Sequence, residues 1–338
     1  MRVLLIKMSS LGDVVHALAA VTDAQRALPD VRFDWVVEEA FSEVPAWHPA
    51  VDQVIPIAQR RWRRDWAGSR DERRAFRKRL RAQRYDLVLD AQGLIKSAVV
   101  ARLARGPRAG LNRHSAREPL AALAYRQRID VPKGQHAVVR LRALFAAALG
   151  YPVPQTPVDY GIARDRLPAV DTARQSLVFL HGTTWPSKQW PESYWKTLAG
   201  QAASAGLEVL LPWGSDAEHE RARRIAEISG ARVLPRLGLS ELAATIAAAR
   251  GVVGVDTGLA HLAAALSVPA VILYGATRPA LTGTYGENQI HLNADFPCSP
   301  CLRRECRYTA ASSVRPACYE AMTPERVWRA MASHLRIA

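Results

Sequence analysis

An acidic side chain suited to proton abstraction follows the first apolar segment of the chain. Asp13 ends a short polar loop, residues 9–13, that comes directly after a predicted strand at residues 3–6. Ligands of open α/β sheets bind beyond the carboxyl ends of the strands, so this position suits a general base, and Gly12 lets a ligand approach the backbone. Asp13 has an equal interpretation as the first-turn acid of the following helix, and the sequence leaves both open.

A second polar loop predicts an anion site in the other half of the chain. Asp256, Thr257 and Gly258 run from a buried strand into an apolar helix. The free N–H groups and the dipole of such a helix end bind phosphate, and Gly258 removes the side chain that would block approach. His261, in the same helix, is equally interpretable as a core histidine bonded to a carbonyl.

A third polar loop carries Thr183, Thr184 and Lys188, after a strand of the same predicted sheet. Two hydroxyls and an ammonium suit phosphate oxygens. Because both loops leave the sheet at the same end, we expect them to form one diphosphate site.

Arginines are concentrated at residues 60–64, where Trp62 is the only other residue type. Guanidinium groups bind phosphate and carboxylate in bidentate geometry, and no acid lies within this tetrad. We interpret it as a clamp for an anionic acceptor. The basic stretch at residues 73–84 is typical of a solvated helix face.

All four cysteines of the chain lie in one short segment, as Cys298, Cys301, Cys306 and Cys318. Their number and spacing permit a tetrahedral zinc site, although the third gap differs from paired C-x-x-C ribbons. Zinc, another metal centre and plain thiols remain three open interpretations.

The composition narrows the class of protein. The formal net charge of +15 draws polyanions such as nucleic acid, acidic membrane or phosphorylated glycolipid. No apolar run reaches the ~18 residues that a membrane span needs, and the N-terminus reads as a buried strand rather than a signal peptide. We therefore expect a cytoplasmic protein with reduced cysteines.

Short apolar strands alternate with helical patterns throughout, which is typical of α/β folds with parallel sheets. Proline-rich residues 151–168 mark a linker. We expect an N-terminal domain at 1–160, a C-terminal domain at 170–322, a cleft between them, and a closing helix at 323–338 that is free to pack back on the first domain. Predicted strands lie at residues 3–6, 33–37, 51–57 and 85–90, then at 177–180, 207–211, 232–234, 252–255 and 271–274.

With these residues in view, nearly the whole chain resembles the lipopolysaccharide heptosyltransferases. The resemblance is carried in the first half by Lys-Met-Ser-Ser-Leu-Gly-Asp at 7–13, Asp-Trp-Val-Val-Glu-Glu at 34–39, Arg-Arg-Trp-Arg at 60–63 and Asp-Ala-Gln-Gly-Leu-Ile-Lys-Ser at 90–97. In the second half, Lys-Gln-Trp-Pro at 188–191 and Val-Asp-Thr-Gly-Leu-Ala-His at 255–261 continue it. The 34–39 and 60–63 segments favour the first of the family's two core transferases over the second.

The resemblance implies a glycosyltransferase-B fold, in which two Rossmann-like domains face each other across a cleft. It implies transfer of L-glycero-D-manno-heptose from ADP-heptose to the first Kdo of Kdo2-lipid A, with inversion and without a catalytic cofactor. The enzyme would then work on the cytoplasmic face of the inner membrane, as a peripheral protein on an anionic surface, with no nucleic-acid partner.

Residue by residue, the resemblance places the catalytic base on Asp13. Its donor contacts fall on Ser10, Gly12, Thr183, Thr184, Lys188, Glu218, Asp256, Thr257, Gly258 and His261, with Glu218 on the ribose hydroxyls. Its acceptor contacts fall on Arg60, Arg61, Arg63, Arg64 and Arg117. A structural metal at the four cysteines remains open and plays no part in the transfer.

Two alternatives stay open at this point. One is the second core heptosyltransferase, or another glycosyltransferase-B enzyme with a different acceptor. The other belongs to a different class, a nucleic-acid-binding protein, since the charge and the arginines interleaved with Trp62 and Trp66 suit a polyanion with stacking bases. That alternative leaves the Asp13 and Asp256 loops unexplained.

Overall fold

The computed structural model describes residues 1–170 and 175–337, which divide between two compact units. The first unit is Met1–Arg166 and the second begins at Leu167, so the boundary falls inside the predicted proline-rich linker. Within the described residues, no helix is long and apolar enough to cross a membrane.

Six parallel strands form the sheet of the first unit, in the spatial order β3-β2-β1-β4-β5-β6. They are β1 (Arg2–Ile6), β2 (Arg32–Glu38), β3 (Val51–Ile57), β4 (Leu87–Asp90), β5 (Arg108–Leu111) and β6 (Gln127–Ile129). The apolar run of β1 is buried, as expected of a central strand covered on both faces. The direction of strand addition reverses between β1 and β4, so the loops that follow these two strands lie side by side.

Helices cover both faces of this sheet. They are α1 (Leu11–Ala27), α2 (Glu43–Ala46), α3 (Gln59–Trp62), α4 (Arg70–Leu80), α5 (Ile95–Leu103) and α6 (Ala137–Leu149). Helices α1 and α6 pack together on one face. The other face carries α3, α4, α5 and the 3₁₀ helix Pro119–Ala124, which we call the α4–α5 layer. It is joined to β1 by a hydrophobic cluster that includes Leu4, Ile6, Trp62, Phe76, Val100 and Ala121.

The second unit repeats this plan, with the spatial order β12-β11-β10-β7-β8-β9. Its strands are β7 (Ser176–Leu180), β8 (Glu208–Leu211), β9 (Arg232–Val233), β10 (Gly251–Val255), β11 (Ala270–Tyr274) and β12 (Gln289–Asn293). Its helices are α7 (Glu192–Ser204), α8 (Asp216–Ser229), α9 (Leu239–Ala248), α10 (Gly258–Ala265), α11 (Pro279–Thr282) and α12 (Pro324–Leu335). Here the reversal of strand order lies between β7 and β10.

The closing helix α12 begins where the sequence predicts it. Thr323 is the N-cap and accepts a hydrogen bond from the backbone N–H of Arg326. Val327 and Met331 are fully buried in the core of the second unit, where α12 contacts α7, β10 and β11. The apolar face of this helix is therefore packed on its own unit. Ala338, the last residue of the predicted helix, lies outside the described residues.

The α/β class with two parallel sheets is confirmed, and every strand predicted from an apolar run is present within a few residues of its expected bounds. Strands β5, β6 and β12 were not predicted. Strands β5 and β6 are short and carry arginine, and β12 is a partly exposed edge strand, so none of the three has the apolar run that marks a buried strand.

Candidate functional site

Asp13 lies in the first turn of α1, beyond the carboxyl end of β1, and three donors bind its carboxylate. Lys7 Nζ donates to Oδ1 across 3.1 Å, and the backbone N–H and hydroxyl of Ser10 each donate to Oδ2 across 2.9 Å. The side chain of Asp13 is nevertheless 42% exposed, whereas that of Lys7 is 7% exposed. Both sequence interpretations therefore fit the geometry, because this carboxylate supports the helix end and is also open to a solute. Gly12 is buried within the same turn.

The pKa of the Asp13 carboxyl lies well below its usual range. Partial burial raises this pKa, but the Lys7 charge and the two Ser10 hydrogen bonds outweigh burial and lower it. Asp13 is therefore ionised at physiological pH and able to accept a proton. Because a lower pKa also means a weaker base, Asp13 becomes a stronger base when another anion draws Lys7 away.

The Asp13 loop is tied to the neighbouring loop after β4 by one amide side chain. Gln92 Oε1 accepts from the backbone N–H of Met8 across 2.9 Å, and its Nε2 donates to the Ser9 carbonyl across 2.7 Å. Buried Asp90 holds the second loop in turn, accepting from the N–H of Gln92 at 2.8 Å and from the hydroxyl of Tyr125 at 2.6 Å. These contacts fix the backbone that presents Asp13.

In the second unit, Asp256 collects the polar groups of three loops. Its Oδ2 accepts from Lys188 Nζ and from Thr277 Oγ1, each at 2.7 Å, and its Oδ1 lies 4.0 Å from His261 Nε2. Thr183 donates its hydroxyl to the Asp256 carbonyl across 3.2 Å. The side chains of Lys188 and Asp256 are only 16% and 10% exposed, so water screens this ion pair weakly.

The predicted helix N-terminus stands beside this cluster. Thr257 is the N-cap of α10, Gly258 is its first residue, and both are half-buried, while His261 is buried one turn later. Thr184 is exposed on the loop after β7. The structure thus brings the predicted donor residues of the β7 and β10 loops together at the strand reversal, where α/β sheets bind ligands.

Glu218 has a structural role that the sequence analysis missed. Its Oε2 accepts from the backbone N–H groups of Gly214 and Ser215, at 2.8 and 3.2 Å, in a capping box at the start of α8. The same carboxylate lies against Gly182, so closely that a side chain at position 182 would have to displace it. Glu218 is therefore held next to the loop that carries Thr183.

The cysteine-containing segment, residues 296–319, supports the Lys188 loop from behind. Ser187 donates from its N–H to the Arg304 carbonyl at 3.1 Å and from its hydroxyl to the Arg303 carbonyl at 2.5 Å. Fully buried Tyr319 donates its hydroxyl to the Lys188 carbonyl at 2.9 Å. The backbone that presents the Lys188 ammonium is therefore fixed by three hydrogen bonds from this segment.

The four cysteines face one cavity of about 380 Å³. Burial and, to a smaller extent, the charges of the three other cysteines together raise the pKa of the Cys318 thiol to about 12. All four are free thiols, and no group of three or more His, Cys, Asp or Glu side chains in the described part of the chain is arranged to hold a metal ion. Among the described residues, the arrangement of these thiols therefore gives no support to a structural metal.

The arginine tetrad at residues 60–64 has acidic partners from other elements, which the sequence analysis did not expect. Arg61 pairs with Glu39 at 3.0 Å and with Glu72 at 2.8 Å, and Trp62 Nε1 donates to the same Glu72 at 2.8 Å. Hydrogen bonds to the two carboxylates, together with their charges, raise the pKa of the Arg61 guanidinium. Sequence spacing could not reveal these partners, because Glu39 follows β2 and Glu72 belongs to α4.

The other predicted acceptor arginines differ in their surroundings. The guanidinium of Arg60 lies 5.9 Å from the ring centre of Phe41, and its backbone N–H donates to Glu38 at 2.9 Å. Arg63 and Arg64 are exposed in the loop after α3. Arg117 is also exposed. It lies beside the loop after β4, because the N–H of the next residue, Glu118, donates to the Gly93 carbonyl at 3.2 Å.

Comparison with known proteins places this geometry in a family. The family model described as glycosyltransferase family 9 (heptosyltransferase) matches residues 73–311. Lipopolysaccharide heptosyltransferase 1 of Pseudomonas aeruginosa is 54% identical over 97% of this chain and 96% of its own length. The protein of the same name from Escherichia coli K12 is 52% identical over 86% of this chain and 92% of its own length.

Solved structures agree with the sequence comparison. The E. coli heptosyltransferase WaaC with ADP superposes with a TM-score of 0.88, at 45% identity over 99% of this chain and 100% of that one. The same enzyme with ADP-2-deoxy-2-fluoro heptose gives a TM-score of 0.81, at 50% identity over 87% and 93% of the two chains. The E. coli heptosyltransferase II shares the fold at a TM-score of 0.75 and 23% identity, over 99% of each chain. The fold is that of the glycosyltransferase-B enzymes, and the chain belongs to glycosyltransferase family 9, the heptosyltransferases.

Proposed function

We propose that this heptosyltransferase moves L-glycero-D-manno-heptose from ADP-heptose to the first Kdo of Kdo2-lipid A, in the assembly of the lipopolysaccharide inner core. The main support for this proposal is the Lys188–Asp256 cluster at the β7/β10 strand reversal. The chain also superposes on a heptosyltransferase solved with ADP-2-deoxy-2-fluoro heptose. Relatives that are 52% and 54% identical and are named lipopolysaccharide heptosyltransferase 1 support the choice of first acceptor.

The donor diphosphate is assigned to the second unit. Lys188 offers its ammonium, and Thr257 and Gly258 offer the N-terminus of α10, whose unpaired N–H groups and dipole favour negative charge. As the bond to the sugar breaks, negative charge grows on the departing ADP, so these fixed donors stabilise the transition state more than the ground state. Glu218, held against Gly182, is assigned to the ribose hydroxyls.

Asp13 is assigned the role of general base. A Kdo hydroxyl attacks the anomeric carbon from the face opposite ADP, its proton passes to Asp13, and one displacement inverts the centre through an oxocarbenium-like transition state. Kdo carries a carboxylate, which can draw the Lys7 ammonium from Asp13 and so raise the basicity of Asp13 as the acceptor binds. The acceptor itself would thereby activate the base.

We assign acceptor binding to the exposed arginines of the first unit, with Arg63, Arg64 and Arg117 as the main cations. Arg60 is less available to bind the acceptor, and Arg61 must release Glu39 and Glu72 before it can bind the acceptor. Because Kdo2-lipid A is anchored by acyl chains, the proposal places the enzyme on the cytoplasmic face of the inner membrane, as a peripheral protein. No step is assigned to a cofactor.

The test is an acceptor panel with purified protein. We expect ADP release from ADP-heptose with Kdo2-lipid A, and only background release without acceptor or with an acceptor whose first Kdo already carries heptose. Release only with the heptosylated acceptor would identify the second core transferase instead. No release with either acceptor would overturn the proposed reaction.

A further inference from the structure

Large apolar side chains are exposed on the outer side of the α4–α5 layer. Ile95 and Val99 of α5 are 46% and 53% exposed, and Leu120 and Leu123 of the 3₁₀ helix are 65% and 66% exposed. The inner side of the same two elements is already packed, because Val100 and Ala121 belong to the cluster under the sheet. The four outward side chains therefore add little to the stability of the fold, and their exposure calls for a partner.

These four side chains form one patch. Ile95 and Val99 are four residues apart on an α-helix, and Leu120 and Leu123 are three apart on a 3₁₀ helix, so each pair lies on one face of its element. The two elements are in contact, and the backbone N–H of Ile95 donates to Glu118 Oε2 at 2.6 Å. Trp66, 66% exposed in the loop between α3 and α4, adds an aromatic side chain to the same layer, where Arg73 stacks on it at 3.6 Å from the ring centre.

The net charge of the whole chain is concentrated in the two chain segments that include the α4–α5 layer. The connection between β3 and β4, residues 58–86, holds twelve Lys and Arg against four Asp and Glu, and residues 91–126, between β4 and β6, hold seven against one. The remaining 27 cations and 26 carboxylates of the chain nearly cancel. Helix α4 alone has exposed cations at Arg70, Arg74, Arg77, Lys78 and Arg79. The layer that carries the apolar patch is thus built from strongly positive segments of the chain.

We propose that the outer side of the α4–α5 layer docks on an anionic phospholipid bilayer, with Ile95, Val99, Leu120 and Leu123 inserted at the headgroup boundary. Exposed apolar side chains on a layer rich in cations are typical of proteins that lie on a membrane, since insertion and attraction to acidic headgroups both contribute to binding. A second copy of the chain is disfavoured as the occupant, because two strongly positive faces repel. The inference draws on the proposed function only in that a lipid-borne acceptor explains why such a surface is useful.

The test is sedimentation of the full-length protein with phosphatidylcholine vesicles, either pure or containing roughly one third phosphatidylglycerol. We expect the protein to bind the anionic vesicles, and the Leu120→Ser/Leu123→Ser variant to bind them at least about tenfold more weakly. Ile228→Ser is the matched control, because Ile228 is 75% exposed on α8, outside the layer, and its removal should change binding less than about twofold. Unchanged thermal melting of each variant shows that folding is intact.

Equal binding of the double variant and the unmodified protein would overturn the docking surface, as would equal binding to neutral and anionic vesicles. A dimer in light scattering that the double variant abolishes would assign the patch to a second copy and also overturn it. ADP release with a deacylated, water-soluble acceptor separates this proposal from the proposed reaction. The double variant should keep that turnover, whereas absence of turnover in the unmodified protein would refute the reaction and leave the vesicle result standing.

Discussion

The proposed function has the Lys188 ammonium contact two anions, the Asp256 carboxylate and the donor diphosphate. This arrangement predicts the order in which two variants bind ADP. Asp256 Oδ2 lies 2.7 Å from Lys188 Nζ. A phosphate oxygen bound on the other side of that ammonium, at about 2.8 Å, would lie roughly 5 Å from the Asp256 carboxylate. Lys188 therefore acts as a bridge, and its removal exposes the diphosphate to a nearby carboxylate.

The magnitude follows from two contributions. Lys188→Met loses a charge-assisted hydrogen bond to phosphate, about 1.5 to 3 kcal/mol. This loss raises the Kd of ADP about 10- to 100-fold. The Asp256 carboxylate repels the phosphate by about 3 kcal/mol across roughly 5 Å at an effective dielectric constant of about 20, in the unmodified protein and in the single variant alike. Lys188→Met/Asp256→Asn removes this repulsion, so the double variant should bind ADP about 100-fold more tightly than Lys188→Met.

The assay is calorimetric titration of ADP into the unmodified protein, the single variant and the double variant. Lys196→Met is the matched control, because Lys196 pairs with Glu192 on α7 and has no place in the site; its Kd should stay within about twofold. The decisive result is the order of the two variants. If the double variant binds ADP no better than Lys188→Met, the bridging role of Lys188 is wrong.

Four further predictions concern other side chains of the two units. Asp13→Asn keeps an acceptor for the Ser10 N–H but removes the base, so ADP release with Kdo2-lipid A should slow about 10²- to 10⁴-fold while ADP binding stays within about threefold; unchanged turnover would contradict the role. Tyr319→Phe leaves the Lys188 carbonyl without its buried donor, and steady-state kinetics should show the KM for ADP-heptose raised roughly 5- to 30-fold with little change in kcat; an unaltered KM would show that the segment does not position Lys188. Replacing Arg63 and Arg64 together by alanine should raise the acceptor KM more than replacing Arg61, which its own acids neutralise, and the effect should shrink at high salt; a larger effect at Arg61 would reverse the assignment. His48 is buried in the first unit with its Nε2 3.0 Å from the Thr22 hydroxyl, and burial lowers its pKa to about 4, so below about pH 6.5 the unfolded state binds a proton that the folded state does not bind. The free energy of unfolding in urea should therefore fall by about 2 kcal/mol between pH 7.5 and 5 in the unmodified protein and not in the His48→Asn variant, and equal losses would show that burial does not shift this pKa.

Sequence patterns predicted the parts of the site that depend on local order. The loops that carry Asp13, Thr183 and Asp256 were found because each follows a buried apolar strand, and in a parallel sheet all such loops leave at the same edge. The α/β class followed from the same alternation. These inferences need only the order of elements along the chain.

Other parts depend on which strands are neighbours, and no local pattern shows that. Gln92 joins the Asp13 site because β4 lies next to β1, and Thr277 reaches Asp256 because β11 lies next to β10. The acids that bind Arg61 likewise come from other elements, Glu39 from the residue after β2 and Glu72 from α4. The sequence did offer one signal for the Gln92 contacts, because a carboxylate and an amide stand at the end of a predicted strand in Asp90-Ala91-Gln92. The sequence analysis did not use this signal to predict that the loop contacts the Asp13 loop.

Residues 296–319 support the Lys188 loop, and the nature of these contacts determines which sequence changes the segment can tolerate. The groups it presents to Ser187 are the carbonyls of Arg303 and Arg304, and the N–H of Leu302 donates to the Ala276 carbonyl at 2.8 Å. These contacts are made by the main chain, so they persist under substitution as long as the path of the backbone is kept. Apart from Tyr319, natural variants can therefore differ in side-chain identity here, cysteines included, while the Lys188 ammonium stays in place, and insertions or deletions are the changes that selection should reject.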